Sequence, residues 1–179
     1  MPPPAVRTIR DLIFWQYAKI ISESAGEGKD NYRFIMNRFT KLRSGDIAWS
    51  SSIREYVKEH EASGSCVYCG SKANLSLEHI LPTARGGPDV PDNAIWICQG
   101  CNSSKGAKRL YEWYGLERRD DLPRVAEGKY LKLLYSLHAN GGTLEVTPES
   151  LCPECDLGGK CPEPGRLTVY CLEGIYTKV

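Results

Sequence analysis

Long apolar runs are missing from this 179-residue chain: its opening stretch, MPPPAVRTIRDLIFWQYAKI, is broken by Arg7, Arg10, Asp11 and Lys19. A bilayer span needs about 20 apolar residues and a secretory leader an uninterrupted apolar centre, so no membrane partner is expected and a cytoplasmic, reducing location is the default. Charge imbalance is missing too, with 23 basic against 22 acidic side chains and a formal net charge of +1. Any nucleic-acid affinity must therefore come from local patches and not from bulk field. Residues 1–61 hold ten basic and eight acidic side chains, 62–110 five and three, and 111–179 eight and eleven, so basic character lies in the first two thirds. Only three histidines are present, and His60 and His138 sit near expected helix C-termini, where imidazolium complements the dipole.

Cysteine, by contrast, is plentiful: eight residues, read in a reducing compartment as metal ligands before disulfides. Cys66, Cys69, Cys98 and Cys101 form two C-x2-C pairs separated by 28 residues, which suits a tetrahedral structural zinc site ordering a segment too short to bury much core. Between and just after the pairs stand EHILP, GGPDVPDN and CNSSKGAKR. The cage is scaffolding, so the chemistry falls to Glu78, His79, Asn93 and Asn102. A second quartet, Cys152, Cys155, Cys161 and Cys171, lies in a tail with few apolar residues, where a second zinc is the most economical way to impose order. An iron–sulfur cluster is the rival there, because cysteine-only ligation suits it as well. Two zinc tetrathiolates would bring the net charge to about −3.

The pattern divides the chain into a helical N-terminal layer (1–61), a central core (62–115), a helical extension (116–142) and the cysteine-rich tail (143–179). Thr8 with Asp11 resembles a capping box ahead of one apolar face, Ile9, Leu12, Ile13, Tyr17, Ile20 and Ile21, closed by Gly26 and Gly28. A second helix is expected over about Asp30 to Arg43. Its Arg33, Arg38, Lys41 and Arg43 are either a solvated face or a DNA contact. A third begins near Ser52, with Glu55 completing a capping signature, and ends about His60. Strands are expected over Leu75–Ile80 and Ala94–Cys98, with Trp96 packing, and then one helix from the second cysteine pair toward Tyr114. This is a β-β-α unit. A helix after Pro123 places Tyr130, Leu133, Leu134 and Leu137 on one stripe and stops at Gly141-Gly142. Trp15, Trp49, Trp96 and Trp113 are expected mostly in the core, with base stacking open to any that are exposed.

Taken in order, the flanking C-x2-C pairs, Glu78-His79 with Pro82 three residues on, the Gly-Gly loop, Asn93, and Cys101-Asn102 followed by Lys105 resemble the zinc-stabilised HNH nuclease family. The likeness covers Cys66 to about Arg109. It implies an α+β fold whose small β-β-α-metal core holds a four-cysteine zinc site between N- and C-terminal helices and the tail. It also implies a divalent-metal-dependent endonuclease or nickase acting on DNA, with RNA not excluded, and leaving 5′-phosphate and 3′-hydroxyl ends.

By the resemblance, His79 is the general base, Asn93 fixes the loop and orients it, and Glu78 with Asn102 holds Mg²⁺ or Mn²⁺. Oxygen donors suit such an ion and exclude zinc. The family more often has Asp where this chain has Glu78, and often His where it has Asn102. Lys105, Lys108 and Arg109, with Arg85 in the loop, are expected to hold backbone phosphates. Asn93 has a second reading as a turn residue, and Asn102 as a helix cap. One such site cuts one strand, so a double-strand break requires a homodimer, a second binding event or a partner protein. The rival class is an inactive zinc-dependent nucleic-acid-binding module.

Overall fold

The computed structural model describes residues 2–48 and 64–175. The protein is α+β, combining helices with a two-stranded antiparallel sheet among the described residues. Contacts group the chain into two units, Met1–Trp49 with Leu134–Val179, and Ser50–Leu133. Residues 1–49 of the expected N-terminal layer thus share a unit with the cysteine-rich tail, and the helical extension is divided between the two. The helix expected over Ser52 to His60, and Trp49, lie outside the described residues.

In the first unit, α1 spans Ile9–Ser24. Thr8 accepts from the Asp11 N–H at 3.2 Å while the Asp11 carboxylate takes the Arg7 N–H at 3.0 Å, so two donors with no intrahelical partner are satisfied. Two more go to the segment 144–146: Ile9 N–H to Val146 O at 3.3 Å and Arg10 N–H to Leu144 O at 2.8 Å. The single apolar face expected for α1 is too narrow a description. Asp11, Gln16, Lys19 and Ser22 are buried along with Ile9, Leu12 and Ile13, because the helix is covered from several sides. Trp15 meets Phe39 of α2 (Tyr32–Ser44) edge-on at 5.9 Å, and Phe14 stacks on Tyr135 at 5.9 Å. Two of the α2 cations are engaged within the unit: Arg38 lies 4.7 Å over the Phe34 ring and Arg43 is 3.5 Å from Asp11.

The second unit is built on a hairpin, β1 (Leu75–His79) and β2 (Ala94–Cys98). Its register sets Leu75 opposite Cys98, Leu77 opposite Trp96 and His79 opposite Ala94. Alternation sends Ile95 and Ile97 into the core, each worth about 1.5–3 kcal/mol of burial. The same alternation turns Trp96 outward, 39% exposed beside Leu77 at 56%, which corrects the expectation that Trp96 packs.

The single helix expected after the second cysteine pair is two, α3 (Gln99–Lys105) and α4 (Leu110–Tyr114). Gly106 stands between them at φ +52°, a left-handed backbone that favours glycine and ends α3. The long helix α5, Arg124–Asn140, follows Pro123. Its early turns serve this unit, Glu127 accepting from Tyr111 Oη at 3.1 Å and Lys129 donating to the Ala94 carbonyl. Beyond it lie the four-residue helices α6 (Pro148–Leu151) and α7 (Tyr170–Glu173) of the first unit. No helix among the described residues is long and apolar enough to cross a membrane.

Candidate active site

The hairpin separates the four cysteines from the candidate catalytic residues. One end carries Leu75 and Cys98, the other His79 and Ala94, and at about 3.3 Å per residue the two ends are some 13 Å apart. At the first end Cys66, Cys69, Cys98 and Cys101 converge, their four sulfurs within 4.8 Å of one another and Cys69 Sγ 3.6 Å from Cys98 Sγ. Ile97, Leu75 and Tyr68 pack around them. Burial pushes the Cys66 thiol up, but backbone donors at Cys98, Cys69 and Tyr68 outweigh it and bring the group down to about 7. Cys101 is held far above the ordinary thiol range by burial and by the neighbouring thiols. A converging all-sulfur set of this kind fits a zinc ion, which would stabilise the segment by replacing the thiol protons.

Cys98 has a second task. Its Sγ accepts the Cys101 N–H at 3.5 Å and caps α3, so the helix leaves the cage in a fixed direction. Asn102 is therefore an interior residue of α3, and its reading as a helix cap is excluded. At the end of α3, Lys105 donates from Nζ to the His79 carbonyl oxygen at 3.2 Å. Residues three apart share a helix face, so Asn102 lies on the side of α3 that looks toward the end of β1. Among the described residues the Asn102 carboxamide and the Glu78 carboxylate make no hydrogen bond or ion pair, which leaves oxygen donors available to a hard cation.

The loop from Ile80 to Asn93 is held by one side chain. Asn93 is fully buried at the end of a 3-10 turn, Pro91–Asn93. Its Oδ1 accepts the Leu81 N–H at 2.8 Å, and its Nδ2 donates to the Leu81 and Pro88 carbonyls, both at 2.9 Å. Its own carbonyl accepts from Ile80 N–H at 2.7 Å. A turn residue needs none of these bonds. Gly87 is pressed against the same staple: an added Cβ would stand 1.9 Å from the Leu81 carbonyl oxygen and 2.9 Å from Asn93 Nδ2.

His79 follows Glu78 at the end of β1, and consecutive strand residues face opposite ways. Its ring is about one-third exposed, with Nε2 3.2 Å from Asp89 Oδ1 of the loop. Asp89 carried no signal in the sequence beyond its place in a Pro-Asp pair. Neither did the close approach at Gly87, which depends on a backbone neighbour six residues away.

Of the four cations expected on phosphates, two are turned inward. Lys105 is buried on the His79 carbonyl, and Arg109 is 1% exposed with its Nε 3.4 Å from Glu112 Oε2. A cation so enclosed supports the fold and cannot reach a nucleic-acid backbone. Lys108 stays exposed, its Nζ 3.4 Å from the Ser104 carbonyl, and Arg85 is half-buried at the end of the 3-10 turn Thr83–Arg85.

Residues 66–111 match the model of a family described as HNH endonuclease. Over 52 residues the chain is 36% identical to the CRISPR-associated endonuclease Cas9 of Corynebacterium diphtheriae, a stretch covering 27% of this chain and 5% of that protein. Over 65 residues it is 32% identical to the type IV methyl-directed restriction enzyme EcoKMcrA of Escherichia coli K12, covering 29% of this chain and 24% of that enzyme. The chain thus spans a small part of either relative. The segment from Cys66 to Tyr111 belongs to the HNH endonuclease family.

Proposed function

We propose that this protein hydrolyses DNA phosphodiester bonds at the loop end of the hairpin, with His79 as general base. The observation that carries the reading is the Asn93 staple: three side-chain hydrogen bonds fix the backbone two residues beyond His79, and a pure binding module has no need of such placement. When Nε2–H donates to Asp89, the Nδ1 lone pair is the proton acceptor. Nδ1 takes a proton from water as its oxygen bonds to phosphorus, the P–O3′ bond breaks, and the departing oxygen is protonated from solvent. The ends left are 5′-phosphate and 3′-hydroxyl. General-base help of this kind is worth about 10²–10⁴-fold.

Glu78 and Asn102 supply the oxygen donors for a Mg²⁺ or Mn²⁺ ion. Such an ion, when bound, polarises the scissile phosphate and stabilises the leaving oxygen. Lys108 and Arg85 hold the flanking backbone. One site of this kind cuts one strand, so the expected product is a nick, and a double-strand break requires a second copy or a partner.

Supercoiled plasmid incubated with Mg²⁺ or Mn²⁺ tests this reading. Wild type should convert it to open circles, EDTA should stop the reaction, and Glu78→Gln and Asn102→Ala should each lose it while keeping zinc. Binding without cleavage under every divalent ion would support the inactive module instead. Cleavage of RNA with DNA left intact would replace the substrate assignment.

A further inference from the structure

The four cysteines of the tail lie far from the hairpin in sequence and take no part in the site above. Cys152, Cys155, Cys161 and Cys171 line one cavity of about 30 Å³ together with Leu151, Gly158, Pro164 and Tyr170. None of them forms a disulfide. The segments carrying them are of a kind that does not hold itself together. Cys152–Glu154 and Gly158–Lys160 are single 3-10 turns, and α6 and α7 have four residues each, well short of the about 12–15 residues at which a helix begins to persist alone.

Backbone donors already point at two of the sulfurs. Gly165 N–H lies 3.4 Å from Cys152 Sγ and Thr168 N–H 3.5 Å from Cys171 Sγ, the same contact that Cys101 N–H makes to Cys98 in the first cage. An N–H aimed at sulfur is a contact that a metal-bound thiolate can also accept. Cys171 also lies 3.8 Å from the Arg166 carbonyl, an acceptor for the thiol proton that a cation would displace.

We propose that Cys152, Cys155, Cys161 and Cys171 bind a second zinc ion, which ties the tail to the helices of its own unit. Donor chemistry selects the metal: the cavity wall offers thiols and no carboxylate or imidazole, a soft set that suits zinc and disfavours magnesium or calcium. Cysteine-only ligation also suits an iron–sulfur cluster, which iron and acid-labile sulfide content distinguishes from zinc. Among the described residues only the first quartet has its sulfurs within 4.8 Å of one another, so binding at the second draws the loops inward. The consequence reaches the helices through α7. Cys171 lies on it, it packs against α1, and its Leu172 carbonyl accepts from His138 Nε2 at 2.9 Å.

This inference is independent of the nuclease reading, and zinc content decides it. Elemental analysis of the full chain, purified without chelator, should give two zincs per chain, and Cys152→Ser/Cys155→Ser should keep one. That variant should also be cleaved by protease beyond Leu144 at least 10-fold faster. One zinc in wild type, two in the variant, or iron with acid-labile sulfide in either protein would overturn the proposal. Should the variant fail to fold, wild type alone answers: cobalt exchange should give thiolate charge-transfer absorbance for two tetrathiolate ions per chain, and absorbance for one would contradict it.

Discussion

Asn93 holds both backbone groups of Leu81, the N–H through Oδ1 at 2.8 Å and the carbonyl through Nδ2 at 2.9 Å. An amide side chain bonded in this way acts as an extra rung of the hairpin, two residues beyond His79. Loop and strand end are therefore fixed together.

Asn93→Ala should unfold the loop before it affects the zinc cage. It leaves the buried Leu81 N–H and the Leu81 and Pro88 carbonyls without this partner, each at a cost of about 1–3 kcal/mol and not fully additive. A net loss of about 3 kcal/mol is expected, read as a fall in Tm of about 6–12 °C, with the first zinc retained. An unchanged Tm would show that the staple contributes nothing.

Gly87→Ala should act through the same contact. The new methyl meets the Leu81 carbonyl oxygen at 1.9 Å, so backbone must shift, at about 2 kcal/mol or more. Gly86 makes a useful contrast: its position has open space but φ +82°, and Ala there should cost about 1 kcal/mol. Thermal melts of the two variants should rank accordingly, and equal losses would contradict the crowding at Gly87.

Much of this arrangement is legible in the sequence where it is written locally. The alternation of Ala94–Cys98 gives β2 with its observed bounds, Thr8 and Asp11 announce the start of α1, and the C-x2-C spacing announces the first cage. What is not legible depends on partners far along the chain. Lys105 meets His79 across 26 residues and Lys129 meets Ala94 across 35, and no periodicity in either segment distinguishes a buried lysine from a solvated one. Trp96 looks like core by residue type, but its place between two inward isoleucines turns it out. The break at Gly106 reads from sequence as a tolerated helix glycine; only its positive φ separates α3 from α4.

Lys105, Arg109 and Lys108 should separate by salt dependence. Lys108→Ala should weaken DNA binding and reduce the slope of log K against log salt by about 1. Lys105→Met should destabilise the unit and leave the slope unchanged. Arg109→Met removes the guanidinium from the buried Glu112 carboxylate, which keeps the backbone N–H of residue 109, and should lower Tm with the slope unchanged. A lower salt slope for Lys105→Met would return that residue to the phosphate-binding set.

His138 should make the first unit sensitive to mild acid. Burial lowers the affinity of its ring for a proton, only partly offset by the bond to the Leu172 carbonyl, and Nδ1 lies 2.6 Å from Thr143 Oγ1. The neutral ring is the native form, not the helix-terminal imidazolium expected from sequence. Because the folded-state pKa lies below the unfolded value of 6.5, its contribution is intact above that pH and is lost as pH falls through it. Urea midpoints between pH 7.5 and 5 should fall more steeply for wild type than for His138→Gln. A wild type that gains relative to the variant on acidification would indicate an imidazolium.

Asp89 should matter less than Asn93. Its side chain is 96% exposed, and a polar contact so solvated contributes about 1 kcal/mol or less. Asp89→Ala should slow cleavage about 3–5-fold without changing Tm, and a loss of 100-fold would make it an essential part of the site.

The most direct test is the single-turnover cleavage rate on one defined DNA duplex, for wild type and His79→Ala at equal zinc content, with the ends of the product identified. Wild type should leave 5′-phosphate and 3′-hydroxyl ends in Mg²⁺ or Mn²⁺, and His79→Ala should be slower by at least about 10²-fold. A zinc-loaded His79→Ala that cuts at the wild-type rate would contradict the account, as would a folded wild type that cuts under no divalent ion.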